Sequence, residues 1–315
     1  MAEKVIVTGL IPPVAMKMLA EQTEPVLLAD PAGSSLSGSV NDTIRAIVLG
    51  RAADPEFLSR FPRLGLVANM GVGYDNVPVD WCAENGILVS HTPHVLSDDV
   101  ADTAIALTLM TVRRFGEAER YLRSGNWTQG AFPLTDSLSG KTVGILGFGR
   151  IGRTIARRLE SFDVTVCYCD AVVDPATTIK HFADPLALAR QSDVLICVLP
   201  GTPTTKGLVG QAILDELGPN GYLINVGRGI AVDQPALIQA LREGRIAGAG
   251  LDVYESEPVL PEALLLSDRT VLLPHVASGS VETRRRMARL VADNVFSFLK
   301  TGRAITPVPE TPNPD

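Results

Sequence analysis

TVGILGFGRIGRTIARRLESF, residues 142–162, is the stretch that decides the fold. It runs from an apolar strand pattern, Thr142 to Leu146, into Gly147, Phe148, Gly149, Arg150, Ile151 and Gly152, a G-x-G-x-x-G. Ile151, Ile155, Leu159 and Phe162 then recur at near-helical spacing. Strand, glycine turn and helix in that order make a dinucleotide-binding turn. Gly147 permits the tight turn, Gly149 lets backbone approach a pyrophosphate, and Gly152 allows close packing of the helix. The amides of Arg150 and Ile151, at the positive end of the helix dipole, are placed to receive phosphates. Asp170 ends the next strand, 18 residues after Gly152. A carboxylate there accepts from the adenosine ribose hydroxyls and repels a 2′-phosphate, so NAD is the expected cofactor, with NADP the alternative where arginines stand nearby. The next arginine along the chain is Arg190, which leaves no local guanidinium for a 2′-phosphate.

Outward from this turn the chain alternates strands and helices. Further strands are predicted at 164–169, 194–199, 222–226, 249–253 and 271–273, six in all with the first, which matches a dinucleotide-binding sheet of Rossmann type. An earlier series, at 5–8, 26–29, 46–49, 64–69 and 87–90, forms five α/β units whose near-continuous Val/Ile/Leu runs suit a parallel sheet covered on both faces. Between the series, residues 98–115 read as one helix with Ser97 as N-cap, crossing between domains. The last amphipathic stretch, 280–299, precedes Gly302 and a tail from Thr306 in which Pro307, Pro309, Pro312 and Pro314 argue for extended or mobile chain.

With 315 residues, 46% hydrophobic and 20% charged, the chain suits two globular domains and excludes a disordered or fibrous protein. Net charge is -7, and no basic run is longer than Arg284, Arg285 and Arg286, so no nucleic-acid partner is expected. No stretch approaches the roughly 20 apolar residues of a membrane span, and the N-terminus shows no signal-peptide core, so a cytoplasmic protein without membrane contact is expected. Cys82, Cys167, Cys169 and Cys197 lie in apolar surroundings and read as free core thiols; no cysteine or histidine pairs stand at zinc spacing, and no metal is expected.

Hydride transfer to a 2-oxo acid needs a cation for the carboxylate, a proton donor at the carbonyl oxygen, and a neighbour that keeps the donor protonated. Arg228, in INVGRG after a strand, offers a planar fork suited to a carboxylate; its structural alternative is a surface ion pair. His275 follows TVLLP at a strand's carboxyl end, where the sheet should face its cofactor, although a lone histidine is more often structural. Glu257 in VYESEP, also beyond a strand end, is the candidate partner for the imidazole, with Glu255 its rival. Asp252 is placed to meet the nicotinamide carboxamide or to cap a turn. His91 and His94, in SHTPHVLSDD, read as satisfied loop histidines.

The sequence resembles the D-isomer-specific 2-hydroxyacid dehydrogenase family across essentially its full length, and within it the glyoxylate/hydroxypyruvate and hydroxyphenylpyruvate reductase branch. Five ordered motifs carry the resemblance: GVGYDNV from Gly71, GFGRIG from Gly147, NVGRG from Asn225, GLDVYESEP from Gly250 and LPHVASGSVETR from Leu273. It implies that Arg228 binds substrate, that Glu257 and His275 form the acid pair, and that the amides of Val72 and Gly73, with Asn69 beside them, hold the substrate carboxylate. Ser278 matches the hydroxypyruvate-type branch. Thr103 and Val100 correspond to positions near the nicotinamide, Asp252 to its carboxamide contact, Pro200 and Thr205 to the loop flanking the adenosine, and Val226 is a further cofactor-binding position.

The resemblance further implies an α/β protein of two doubly wound parallel-sheet domains. A flavodoxin-like substrate-binding domain comes from residues 1–98 and 283–315, and a Rossmann-type cofactor domain from 99–282, with hinge closure excluding water. It implies a homodimer whose contact is made largely by the cofactor domain. The expected activity is reduction of glyoxylate or hydroxypyruvate to the D-2-hydroxy acid. A sugar-derived 2-keto acid such as 2-ketogluconate, or an aryl pyruvate, is the alternative substrate, and an NAD-sensing binding protein is the alternative of another class. Ser278 argues against a D-lactate dehydrogenase, Glu257 against the formate dehydrogenases, which carry glutamine there, and the short tail against the regulatory domain of the long phosphoglycerate dehydrogenases. Plant reductases of the branch favour NADPH and end the second cofactor-domain strand in a Ser/Arg-type sequence, where this chain has CYCDAVVD.

Overall fold

Two parallel sheets carry the fold, one in each of two units: Met1–Leu96 with Ser280–Asp315, and Ser97–Gly279. The computed structural model describes residues 2–9, 11–28 and 41–314; Ala29, the last residue of the expected second strand, lies outside the described residues.

In the first unit, β1 (Glu3–Gly9), β2 (Thr23–Leu28), β3 (Ala46–Gly50), β4 (Leu66–Asn69) and β5 (Leu88–Ser90) run in the order β2-β1-β3-β4-β5, the doubly wound flavodoxin-like arrangement. Alternate residues of one strand serve opposite cores. Val5 and Val7 pack with Val291, Val295 and Phe298 of the helix Val281–Thr301, while Ile6 packs with Phe57, Leu58 and Val308. Residues with apolar neighbours on both faces must be apolar at every position, which is why these runs show no polar alternation. Ser280 caps the long helix by accepting from the Thr283 amide at 3.1 Å.

The proline-rich tail is extended and is held in place. Pro307 bridges Ser90 in antiparallel fashion, the Val308 amide donates to the Val89 carbonyl at 2.8 Å, and the Val89 amide donates to the Thr311 hydroxyl at 2.8 Å. Val308 is fully buried. Proline lacks the donor of a central strand but tolerates this edge position, so of the extended and mobile alternatives the tail takes the extended one, as a strand-like border of β5.

In the second unit, β6 (Thr142–Leu146), β7 (Thr165–Cys169), β8 (Lys180–Phe182), β9 (Val194–Cys197), β10 (Tyr222–Asn225), β11 (Gly248–Leu251) and β12 (Thr270–Leu272) form one parallel sheet ordered β12-β11-β10-β9-β6-β7-β8. This is the Rossmann order extended by a seventh strand, with its reversal point between β6 and β9. The expectation of six strands missed β8, a three-residue edge strand, KHF, without an apolar run.

The helix expected over 98–115 begins at Ser97 itself and ends at Val112. Arg114 then adopts a left-handed φ of 50°, and a second helix follows at Phe115–Arg123. A bidentate pair from Arg114 to Glu117, at 2.8 and 2.6 Å, fixes the break.

All four cysteines are buried and free, and burial pushes the Cys197 thiol up to about 11. Among the described residues no cluster of three or more His, Cys, Asp or Glu is placed to hold a metal, and no helix is long and apolar enough to cross a membrane.

Candidate functional site

Six loops leave the carboxyl ends of β6, β7, β9, β10, β11 and β12, and most of the chemistry-bearing residues of the second unit sit on them. The loop after β12 carries His275, whose Nδ1 lies 2.7 Å from Glu257 Oε2. Glu257 is therefore the imidazole's partner, and no bond joins Glu255 to it. The His275 side chain is 48% exposed, so a reactant can reach the ring while the carboxylate holds its other side.

His275 has a left-handed φ of 53°, a conformation that costs a side-chain-bearing residue on the order of 1–3 kcal/mol. Asp252 supplies the restraint. Its carbonyl accepts from the His275 amide at 2.9 Å, and its carboxylate accepts from the amides of Val276 at 2.8 Å and Ala277 at 2.9 Å. Both carboxylate oxygens of this buried residue are thus engaged with the histidine loop, as a turn cap requires. Burial raises the Asp252 pKa, partly countered by these two amides and by His275. Thr103 reaches the same loop, its hydroxyl 3.4 Å from the Ala277 carbonyl, and neighbouring Val100 is buried. Ser278 follows, half-buried.

Arg228 leaves β10 through Val226, whose amide donates to the Cys197 carbonyl at 3.1 Å. Asn225 shapes the turn, accepting from the Gly227 amide at 3.1 Å and donating to the Arg228 carbonyl at 3.1 Å. Arg228 Nη1 donates to the Gly227 carbonyl at 3.0 Å. Next to it, a Cβ on Gly229 would lie 1.9 Å from the backbone of Tyr254. Only glycine permits that approach. Tyr254 in turn donates its amide to Glu257 Oε1 at 3.0 Å and its hydroxyl to the Leu273 carbonyl at 2.8 Å. Burial pushes the Tyr254 phenol up to about 12, which keeps it a donor. Gly229 and Tyr254 thus lock the arginine, glutamate and histidine loops together, and neither was singled out in the sequence. The Gly-after-Arg in NVGRG was the available signal for the first. Gly229→Ala is expected to destabilise the second unit by about 1–3 kcal/mol and to lower kcat/KM, because the clash is with backbone and cannot relax by a rotamer change. Urea unfolding with steady-state kinetics checks this; wild-type values for both would show that the loops need no such contact.

Glu257 titrates below the usual carboxylate range. Burial alone would raise it, but the hydrogen bonds from His275 and the Tyr254 amide and the charges of His275 and Arg228 prevail. A carboxyl depressed in the folded state contributes stability that is present above its unfolded pKa, about 4.3, and lost as pH falls through the lower folded value. The stability difference between wild type and Glu257→Gln should therefore shrink as pH falls from about 5 to below about 4. Urea midpoints across that window test it, and a difference independent of pH would contradict it.

The glycine turn behaves as its spacing predicts. Gly147 has φ 97°, and a Cβ on Gly152 would lie 2.3 Å from the Gly147 carbonyl oxygen. Gly149 is exposed, and a Cβ there would meet nothing within 4 Å. The helix Arg150–Leu159 starts at Gly149 without a side-chain cap, and Arg150 is exposed with Ile151 half-buried beside it. This open, uncapped helix start fits a pyrophosphate. Asp170 stands at the end of β7 with Oδ2 accepting from the Phe148 amide at 2.6 Å and Oδ1 from the Val172 amide at 3.2 Å. On the β9 side, Thr205 ties its own loop, its hydroxyl donating to the Pro200 carbonyl at 2.6 Å.

One expectation about this region is corrected. A guanidinium does stand near the strand end: Arg153, from the helix, places Nε 2.6 Å from Asp174 Oδ2. It lies 21 residues before Asp174, so a search for arginines after Asp170 does not meet it.

In the first unit, Asn69 Nδ2 donates to the carbonyls of Gly71 at 3.3 Å and Gly73 at 2.8 Å, which pins the loop that carries Val72 and Gly73. His91 Nδ1 meets the Val72 carbonyl at 2.8 Å, so it is a satisfied loop histidine.

Residues 105–277 match the NAD binding domain of the D-isomer specific 2-hydroxyacid dehydrogenases. The chain is 45% identical over 280 residues to a glyoxylate/hydroxypyruvate reductase A of Arabidopsis thaliana, covering 88% of this chain and 90% of the relative. It is 45% identical over 269 residues to a hydroxyphenylpyruvate reductase of Plectranthus scutellarioides, covering 85% and 86%. A solved structure of an NADPH-dependent glyoxylate/hydroxypyruvate reductase from Sinorhizobium meliloti, in complex with NADP and malonate, superposes with a TM-score of 0.96 at 45% identity, over 100% of this chain and 99% of that one. Sequence, strand order and glycine turn agree with these likenesses, and the chain belongs to the D-isomer-specific 2-hydroxyacid dehydrogenase family of NAD(P)-dependent oxidoreductases.

Proposed function

We propose that the protein reduces a small 2-oxo acid of the glyoxylate or hydroxypyruvate type to the D-2-hydroxy acid, with NADH as the preferred reductant. The observation that carries this reading is the 2.7 Å bond between His275 and Glu257, on the loops after β12 and β11, with Arg228 on the loop after β10 at the same carboxyl edge of a dinucleotide sheet. When bound, the reduced nicotinamide supplies hydride to C2 of the oxo acid. Arg228 binds the substrate carboxylate, since its guanidinium offers a fork of matching geometry. His275 gives its Nε2 proton to the carbonyl oxygen as negative charge develops there, and Glu257, on Nδ1, stabilises the imidazolium before transfer and fixes the tautomer after it. Asp252 and Tyr254 hold the loops in register.

The relatives' printed names favour glyoxylate and hydroxypyruvate, and the hydroxyphenylpyruvate reductase among them keeps an aryl pyruvate as a second reading. Asp170 supports NADH. The working form is a homodimer. The helix Phe115–Arg123 has no buried residue, and Leu122, Trp127 and Leu134 on and after it are exposed, Leu134 fully, an apolar surface that a second copy would cover. Steady-state constants with NADH for glyoxylate, hydroxypyruvate, 2-ketogluconate and phenylpyruvate test the substrate assignment; a kcat/KM for phenylpyruvate above those of the first two would overturn it, and turnover of none would favour an NAD-sensing role.

A further inference from the structure

The loop after β7 brings Asp170 and Asp174 to Phe148 and to Arg153 of the helix Arg150–Leu159. Arg153 donates from Nε to Asp174 and leaves both Nη groups without a hydrogen-bond partner among the described residues. Its side chain is 53% exposed, whereas that of Asp174 is 10% exposed, so the guanidinium fronts solvent over a carboxylate set beneath it. The same guanidinium stands 5.9 Å from the centre of the Phe148 ring, and Asp170 accepts from the Phe148 amide. Arg153 and Asp170 therefore flank a single residue of the glycine turn, where the adenosine ribose of a dinucleotide is read.

Both carboxylates are anchored. Asp174 Oδ1 accepts from the Ala176 amide at 3.0 Å, and its own amide donates to the Tyr168 hydroxyl at 2.9 Å. Asp170 is held by the Phe148 and Val172 amides, and its carbonyl meets the His181 ring at 3.1 Å. Two fixed carboxylates against one guanidinium give the cluster a net charge of about -1, which repels a phosphate monoester of charge about -1.5 to -2. Removing the two negative charges would leave an exposed guanidinium with two free Nη groups beside the ribose position, the chemistry of a phosphate receptor.

We infer that this chain carries a masked 2′-phosphate receptor, the Arg153 guanidinium, and that Asp170 and Asp174 together keep it from an anionic guest and so set the choice between the two nicotinamide cofactors. The inference rests on the reading that NADH is preferred. In this account Asp174 is a specificity-determining residue, and its pair with Arg153 is more than a surface salt bridge.

The test is binding to the full-length protein, by titration calorimetry with 2′,5′-ADP and 5′-AMP and by nicotinamide fluorescence with NADH and NADPH. Wild type should bind NADH more tightly than NADPH. The Asp170→Asn, Asp174→Asn double variant should bind 2′,5′-ADP and NADPH at least about tenfold more tightly than wild type, while 5′-AMP, whose ribose hydroxyls lose the Asp170 carboxylate, binds no more tightly than it does to wild type. Adding Arg153→Gln should cancel the gain for the 2′-phosphorylated ligands and leave 5′-AMP unchanged. If the double variant gains nothing, or the triple variant keeps the gain, the masking is refuted while the NADH reading stands. A wild type that binds NADPH more tightly refutes the NADH reading itself. Should the double variant fail to fold, Asp174→Asn alone, whose amide oxygen can still accept from Ala176, gives the same comparison with and without Arg153→Gln.

Discussion

His275→Gln is expected to lower the turnover number by about two to four decades, the usual contribution of a positioned general acid. Glutamine fills similar space and can still take a hydrogen bond toward Glu257, but it has no proton to surrender at neutral pH. Cofactor affinity should remain near wild type, because the glycine turn and Asp170 lie on other loops of the sheet. The Asp252 cap depends on backbone amides, so the loop should keep its shape. Single-turnover absorbance separates the chemical step from product release; a variant with normal turnover would remove His275 from the mechanism.

The second large effect concerns Arg228→Ala. A bound carboxylate without its charged partner costs about 3–5 kcal/mol, so kcat/KM for the oxo acid should fall by about two to four decades. Arg228 also lowers the pKa of Glu257 through its charge, which couples the substrate cation to the acid pair. Lysine should recover only part of the loss, since an ammonium lacks the planar fork. If Arg228→Ala leaves kcat/KM intact while NADH affinity falls, the arginine belongs to the cofactor rather than to the oxo acid.

How far the sequence foretold this structure depends on the range of the interactions involved. The paired parallel sheets were legible because strands such as Ala46–Gly50 and Val194–Cys197 are buried on both faces, and burial writes itself as an unbroken apolar run. The edge strand Lys180–Phe182 escaped notice because an edge needs no such run. Arg114 broke a helix through a side-chain pair that composition does not announce. The prolines of the tail left extended and mobile chain open, and the strand beside them, at Val89 and Ser90, decides for the extended form.

The same logic applies at the site. The motifs named Arg228, Glu257 and His275, but only the fold shows that Glu257 rather than Glu255 reaches the imidazole. Tyr254 and Gly229 act through backbone contacts between loops, and Arg153 meets Asp174 across a helix and a strand. Such pairings are set by topology rather than by neighbouring letters.

The most direct test of the central claim is product analysis with NADH and hydroxypyruvate. The account predicts that loss of nicotinamide absorbance is matched mole for mole by D-glycerate. Formation of L-glycerate, or no loss of absorbance with hydroxypyruvate or glyoxylate, would contradict it.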